Sequence, residues 1–460
     1  MKKITICCMC LFIFGGRYPQ TALFAGEAAM QEYKQTEHIQ DEKRFFPAVG
    51  NVFLSNFMLY MFNRYVGRFD FSMVSLESIQ HNLRSAWVWD QDVFMTNQLG
   101  HPYQGSTYFT AGRANGFGFY ESMPFAVLGS VMWELFHETE PPSLNDLFST
   151  TLGGITFGEM LHRIYLEMYA VNSPFAMIIS PMDAWSGLIT GGYPRRGGGN
   201  IYRFSISSGI GITRAKRYTS QQSMVLETWR TPQMDIACHI IYGNPFEQRS
   251  VVPYNHFELA LEVGDGLPWY TIKLVSDAYL FSFSPINQEQ KKLTTGLTMH
   301  SDLFASSNIN FFSEALDWTL KSKRSFHNNL AFEVKAHLGL TVFGTSDFYS
   351  YDPKRNTTEI YRDYGTGSNL KLFFSLAHPK LGTLALDILF YHFFIISHNV
   401  PNSSGVDSVL FTNISYRFPL GKRLSLGVSN AISLQKSDYT LILDIENYTN
   451  TIKLYAEWNF

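Results

Sequence analysis

Asn450-Thr451-Ile452-Lys453-Leu454-Tyr455-Ala456-Glu457-Trp458-Asn459-Phe460 alternates without a break. Ile452, Leu454, Ala456, Trp458 and Phe460 take one face of a strand, and Lys453, Tyr455, Glu457 and Asn459 the other. In a soluble sheet such a segment leaves a raw edge and an unburied ring. A closed barrel in a membrane removes both difficulties: the edge is paired, lipid covers the apolar face, and the interface accepts the terminal aromatic. The ending also resembles the C-terminal aromatic signal read by barrel-assembly machinery. Outer-membrane lipid and that machinery are therefore the expected partners.

The same period runs back to Asn200. Tyr202, Phe204, Ile206, Ile210 and Ile212 begin it, and Phe257, Leu259, Leu261 and Val263 repeat it. Leu330, Phe332, Val334, Leu338 and Leu340 oppose Glu333, Lys335, His337 and Thr341. Leu370 to Leu376, Leu384 to Phe390 and Leu424 to Leu434 follow, with less regular strands near 233–243, 268–281, 291–303, 308–321 and 406–418. With the C-terminal strand the expectation is about twelve, an even number long enough to cross a bilayer. The break from Thr345 to Gly367 reads as an extracellular loop. A soluble sandwich also alternates, but would bury its inner face against a second sheet only.

Composition fits. The chain has 460 residues, a net charge of -3, 16% aromatic residues and a mean hydropathy of -0.07. That charge, without a basic tract, excludes nucleic acid as a partner, and the hydropathy argues against a bundle of membrane helices. Lys2 and Lys3 precede an apolar run from Ile4 to Phe14, too short to span a bilayer, so residues 1–25 read as a secretory signal peptide cleaved after Ala25. Cys7, Cys8 and Cys10 leave with it, and Cys238 alone provides no disulfide framework.

Between Gly26 and Gly192 the period is helical. Residues 26–84 read as linker and N-terminal helices: a polar stretch to Arg44, an apolar run from Phe46 to Tyr65 and a short amphipathic helix from Ser75 to Arg84. Residues 85–192 form a helical domain. Phe119 to Phe136 is one helix; Ser143-Leu144-Asn145-Asp146 caps another expected to run to Ala170, and Ser180-Pro181-Met182-Asp183 starts a third. Pro194 to Gly199 is the linker to a barrel over 200–460. The fold class is thus α+β, an N-terminal helical domain followed by an antiparallel transmembrane β-barrel of about 12 strands.

One block is far denser in special residues than its surroundings. It contains Trp89-Asp90-Gln91-Asp92, Asn97-Gln98-Leu99-Gly100-His101-Pro102-Tyr103-Gln104-Gly105-Ser106, Arg113-Ala114-Asn115-Gly116, Gly129 to Glu134, Glu138 to Asp146, and Gly153-Gly154 through Gly158-Glu159. Over roughly 85–165 this resembles a family of bacterial cell-envelope proteins, the domain of unknown function numbered 3943. The resemblance brings no established activity and does not extend to the barrel.

The acids Glu134, Glu138 and Asp146 gather around one helix–turn–helix corner, with Glu134 and Glu138 one turn apart. His101 and Arg113 could reach the same volume. Carboxylates beside a histidine suit acid–base hydrolysis or a metal. Capping of the helix by Asp146, solvent at Glu138, and a Glu134–Arg113 ion pair explain the same residues structurally. Gly112, Gly116, Gly129, Gly153, Gly154 and Gly158 read as points of close helix approach. Glu134-x-x-His137 and Glu159-x-x-His162 have the spacing of a di-iron bundle, with Glu77 and Glu121 as further donors, although chance accounts for it better. No cofactor is expected.

Glu258, Glu262, Lys273, Asp277, Glu333, Lys335, His337, Lys371, Asp387, Lys453 and Glu457 would point into the lumen. Mixed signs there argue against a strongly charge-selective pore. His300-Ser301 and Asn310 carry lipase-like residue types without an ordered triad. The expected function is an outer-membrane barrel whose helical domain sits in the lumen or on the periplasmic side, with a role in envelope organisation or restricted transport. The alternative is an outer-membrane enzyme acting on lipid or envelope glycan through the carboxylate and histidine cluster.

Overall fold

The structure is a computed structural model describing residues 42–190, 199–219, 224–246, 249–266, 269–306, 308–352, 357–397, 405–440 and 445–460. The expected signal peptide, most of the 26–44 stretch and nearly all of the 194–199 linker lie outside the described residues. Two compact units divide between Gly199 and Asn200.

In the first unit, helix α1 (Phe45–Met61) continues through a wider turn to Gly67, followed by α2 (Leu76–Arg84), α3 (His101–Arg113) and α4 (Phe119–Phe136). Then come α5 (Leu144–Phe148), α6 (Gly154–Ala170), α7 (Ala176–Ile179) and α8 (Pro181–Thr190). The expected helix from Ser143 to Ala170 is two helices, because a π turn at Ser149–Gly153 separates α5 from α6. A matching π turn at Thr96–Gly100 leads into α3. Close packing explains most of the glycines. A Cβ on Gly105 would stand 1.8 Å from the Thr150 carbonyl oxygen, and one on Gly129 would stand 2.3 Å from the Tyr108 ring.

Helices α1 and α2 pack into this unit. Asn56 donates to the Gly129 carbonyl (3.2 Å), and Asn82 donates to that of Glu138 (2.8 Å). Helix α1 is inside out. Its buried residues include Asn51 and Asn56, whereas Phe46, Phe53, Phe57, Met58 and Phe62 are exposed. The segment Phe45–Gly67 is long and apolar enough to cross a membrane.

The second unit is a closed antiparallel barrel of twelve staves. They are β1 (Ile201–Thr219), β2 (Met224–Tyr242), β3 (Phe257–Gly266), β4 (Trp269–Asn287), β5 (Lys291–Ala305) and β6 (Asn310–Ser325). The ring continues with β7 (Ala331–Asp352), β8 (Thr357–His378), β9 (Gly382–Ile395), β10 (Gly405–Pro419), β11 (Leu424–Tyr439) and β12 (Ile445–Asn459). A two-residue strand, Arg249–Ser250, adds to β4. Closure is by the C-terminal stave, which pairs with β1 from Ser205↔Asn459 to Thr219↔Ile445.

Side chains alternate across the wall as expected. Ile206, Ile210, Leu338, Leu340, Ile452 and Leu454 are exposed on the outside, while Lys453, Tyr455 and Glu457 line the interior. The supposed loop from Thr345 to Gly367 is mostly sheet: β7 and β8 pair to Asp352↔Thr357. Backbone pairing needs no apolar alternation, so the ladder continues where the sequence pattern fades.

Candidate functional site

The acids of the signature converge where an extended segment meets a helix start. Val88 bridges Ser143 in parallel, its carbonyl accepting from Leu144 N–H (2.7 Å). This sets Asp90 beside the first turn of α5. Its N–H donates to Asn145 Oδ1 (2.9 Å), and its Oδ1 accepts from Asn145 Nδ2 (2.8 Å), Asn97 Nδ2 (3.1 Å) and the Asp92 N–H (3.2 Å).

The cap itself is shared between helices. Ser143 Oγ accepts from the Asp146 N–H (3.2 Å), as the spacing requires. The Asp146 carboxylate does not return the bond to the cap. Glu134 of α4 does so instead, its Oε2 accepting from the Ser143 N–H (2.8 Å). Asp146 is thereby released toward Asn145, which donates to its Oδ1 at 3.0 Å, and toward His101, whose Nε2 lies 3.6 Å away. His101 Nδ1 meets Thr150 Oγ1 at 3.1 Å. His101 directly follows one π turn and Thr150 lies within the other, features that often mark functional positions. Glu138 lies beyond the end of α4, not on its face, and accepts from Trp133 Nε1 at 2.5 Å.

Burial sets the protonation of this cluster. It raises Glu134 well above the usual carboxylate range, with Glu138 adding to the effect. Asp146 is raised by burial and then by Glu134. Glu138 is pushed up to about 8, chiefly by burial, against the lowering effect of the Trp133 bond. Burial also lowers His101 to about 4, leaving it neutral near pH 7, and Asp90 only partly offsets this. Asp90 itself resists burial, because hydrogen bonds from Asp146, Ser143 and Asn145 hold it below its ordinary value.

Four of the proposed candidates, His101, Glu134, Glu138 and Asp146, therefore share one neighbourhood. Arg113 does not join them. The anticipated Glu134–Arg113 pair is replaced by a buried triad in which Arg113 and Arg163 both hold Glu159, at 2.8 and 2.7 Å. Helix α6 supplies that acid at the same depth as Arg113 on α3, whereas Glu134 is engaged by the α5 cap. The di-iron set is dispersed for the same kind of reason. His162 Nδ1 pairs with Asp183 (2.9 Å), His137 Nδ1 meets the Met132 carbonyl (3.1 Å), and Glu159 is held by its arginines. Sequence reading did not select Asp90, Asp92, Asn97 and Asn145 as site residues. Their crowding within the signature strings was the available signal.

The barrel interior forms a second candidate. Lys321 and Lys335 hold Glu258 (2.6 and 2.9 Å), Lys335 also holds Asp277 (2.7 Å), and Lys453 joins Asp235 (3.1 Å) to Glu262 (2.9 Å). His300 pairs with Asp317 at 3.2 Å, and Lys371 donates to His300 Nδ1 at 2.9 Å, so that histidine belongs to a charge network. Two cavities of about 410 and 590 Å³ share His239, Lys273, Asp387, Ser415, Tyr455 and Glu457 in their walls.

Past the smaller cavity an apolar cluster closes in. Phe304 stacks on Phe411 of β10 (3.7 Å between centroids), and Ile309, Phe311, Leu389, Tyr391 and Phe393 pack around them. Asn308, in the β5–β6 connection, donates to the Tyr448 carbonyl (3.1 Å) and Thr449 Oγ1 (2.9 Å). In a ring of twelve, β6 and β12 stand on opposite walls, so this connection reaches across the lumen. The expected mixed-charge interior thus describes only part of the barrel.

A helical unit followed by a closed antiparallel barrel of twelve staves defines a two-unit β-barrel protein. Residues 86–181, within the helical unit, match the domain of unknown function DUF3943. No curated protein matches the chain. Among solved structures, a KdgM porin is similar at 10% identity and a TM-score of 0.24, covering 54% of this chain and 99% of its own. An outer-membrane channel from Pseudomonas putida F1 is similar at 9% identity and a TM-score of 0.29, covering 56% and 96%. The P. putida toluene transporter TodX shows 7% identity and a TM-score of 0.25, covering 56% and 90%. At these values the closure and architecture rest on the strand pairing alone.

Proposed function

We propose that the protein is an outer-membrane barrel of restricted passage, closed by its own β5–β6 connection, with the helical unit held at the membrane through α1. Outward Ile, Leu, Val and aromatic side chains recur on stave after stave, an apolar surface that water disfavours and lipid accepts. The contact that carries the transport reading is Asn308, which lines the smaller cavity and is bonded to the opposite wall, beside a second cavity that shares polar lining residues with the first. A lumen narrowed in this way suits small polar solutes better than bulky or strongly charged ones. Helix α1 supports the membrane role of the first unit, since it turns asparagines inward and phenylalanines outward. Retention through carbonate washing, with heat-modifiable migration on gels, is the expected behaviour. Release by carbonate would exclude a membrane barrel.

A further inference from the structure

The three aspartates beside the α5 cap bring their carboxylates together around one point of the helical unit. One carboxylate oxygen from each of Asp90, Asp92 and Asp146 lies within 4.8 Å of the others. Two oxygens bound to one calcium ion at about 2.3–2.6 Å stand at most about 5 Å apart, so each pair among the three is spaced for a shared ion. Asp92 is exposed, Asp90 half-buried and Asp146 buried, which gives the group an entrance and a floor.

A second observation comes from a different helix. Glu134 is 1% exposed, and only its Oε2 is engaged, by the Ser143 N–H; its Oε1 has no hydrogen-bond partner. Ser143 joins the two acids, its N–H donating to Glu134 Oε2 (2.8 Å) and its Oγ accepting from the Asp146 N–H (3.2 Å), so the Glu134 carboxylate lies beside the Asp146 end of the group. Burying a carboxylate without a counter-charge is costly. Among the described residues no lysine or arginine pairs with Asp90, Glu134, Glu138 or Asp146. This contrasts with Glu159, held by two arginines in the same unit.

We propose that Asp90, Asp92 and Asp146 bind one divalent cation, with Glu134 as the buried anionic partner that completes the site. The donors are oxygens, which select a hard ion of the calcium, magnesium or manganese class over zinc or copper. Two histidine-bearing groups in the barrel do not compete for this role: in His256, Glu258 and Asp277 the Lys335 ammonium already holds both acids (2.9 and 2.7 Å), and His300, Asp317 and His337 face a lysine as well. The Lys371 ammonium lies 2.9 Å from His300 and 3.9 Å from Asp317, where a metal's charge would sit.

The test uses the full chain folded in lipopolysaccharide-free detergent, stripped with chelator and titrated calorimetrically with CaCl₂. Terbium emission sensitised by the adjacent Trp89 provides a second readout. One calcium per chain is expected, with terbium displaced by calcium. Asp92→Asn, at an exposed position, should weaken binding about tenfold or more, because ligand charge sets affinity in such sites. Asp146→Asn and Glu134→Gln should weaken it as well, whereas the nearby exposed Glu140→Gln should not. Absence of calcium binding up to millimolar concentration would overturn the assignment. So would wild-type affinity in Asp92→Asn.

Discussion

Glu134 shows how one side chain organises the site: it takes the cap N–H that sequence spacing assigns to Asp146. Spacing could place both acids near a helix start but not decide which of them would close the cap, because the competitor came from another helix. Arg113 was misplaced for the same reason. Its partner Glu159 lies on α6, and only three-dimensional packing chooses between two acids in reach. Glu159→Gln should cost about 3–5 kcal/mol, since it leaves two buried guanidiniums uncompensated. Denaturant unfolding of the helical unit's signal checks this, and an unchanged midpoint would contradict the triad's role. Glu138 makes a pH prediction. Its folded value of about 8 lies above the unfolded carboxylate range, so the folded state holds a proton that the unfolded state has lost. That contribution to stability is full at low pH and disappears as pH rises from about 4.5 to 8. His101, lowered to about 4, acts oppositely, favouring unfolding as pH falls from about 6.5 to 4. In chelator, Glu138→Gln should therefore flatten the decline of melting temperature between pH 5 and 8, and a decline equal to wild type would refute the assignment.

At the level of elements, the staves were the most legible part. Alternation at Leu338, Leu340, Leu384 and Leu386 is a direct imprint of an outward apolar face and an inward lumen. Legibility ended where that asymmetry ended. The upper parts of β7 and β8 pair through residues with no consistent apolar face, and they read as a loop. The π turns at Thr96–Gly100 and Ser149–Gly153 were invisible for a different reason: they flank the close approach of α3 to the chain at Thr150, a tertiary contact that the absent side chain of Gly105 permits. Helix α1 had the right length and composition in sequence, but its inverted polarity emerged only when Asn51 and Asn56 were seen to face inward. A spin label at Phe53→Cys, in a Cys238→Ser background and lipid vesicles, should be more accessible to oxygen than to a water-soluble nickel chelate. The reverse order of accessibilities would remove α1 from the membrane.

For the whole molecule, the N-terminal order of helices and the C-terminal barrel were both evident from period alone, and the terminal stave does close the ring against β1. What the period could not show was the content of the lumen. Inward positions such as Asp277, Lys335 and Lys453 promised a charged interior and form one, but Leu389, Tyr391, Phe393 and Phe411 are also inward and close the remainder. Alternation states which way a residue points, not what meets it from the opposite wall. The central claim is that the barrel is shut by its own β5–β6 connection, and planar-bilayer recording of the full chain tests it most directly. The wild type should show little or no conductance, and Phe304→Ala combined with Asn308→Ala should produce discrete openings. Large steady conductance in the wild type, or silence in the folded double variant, would contradict the account.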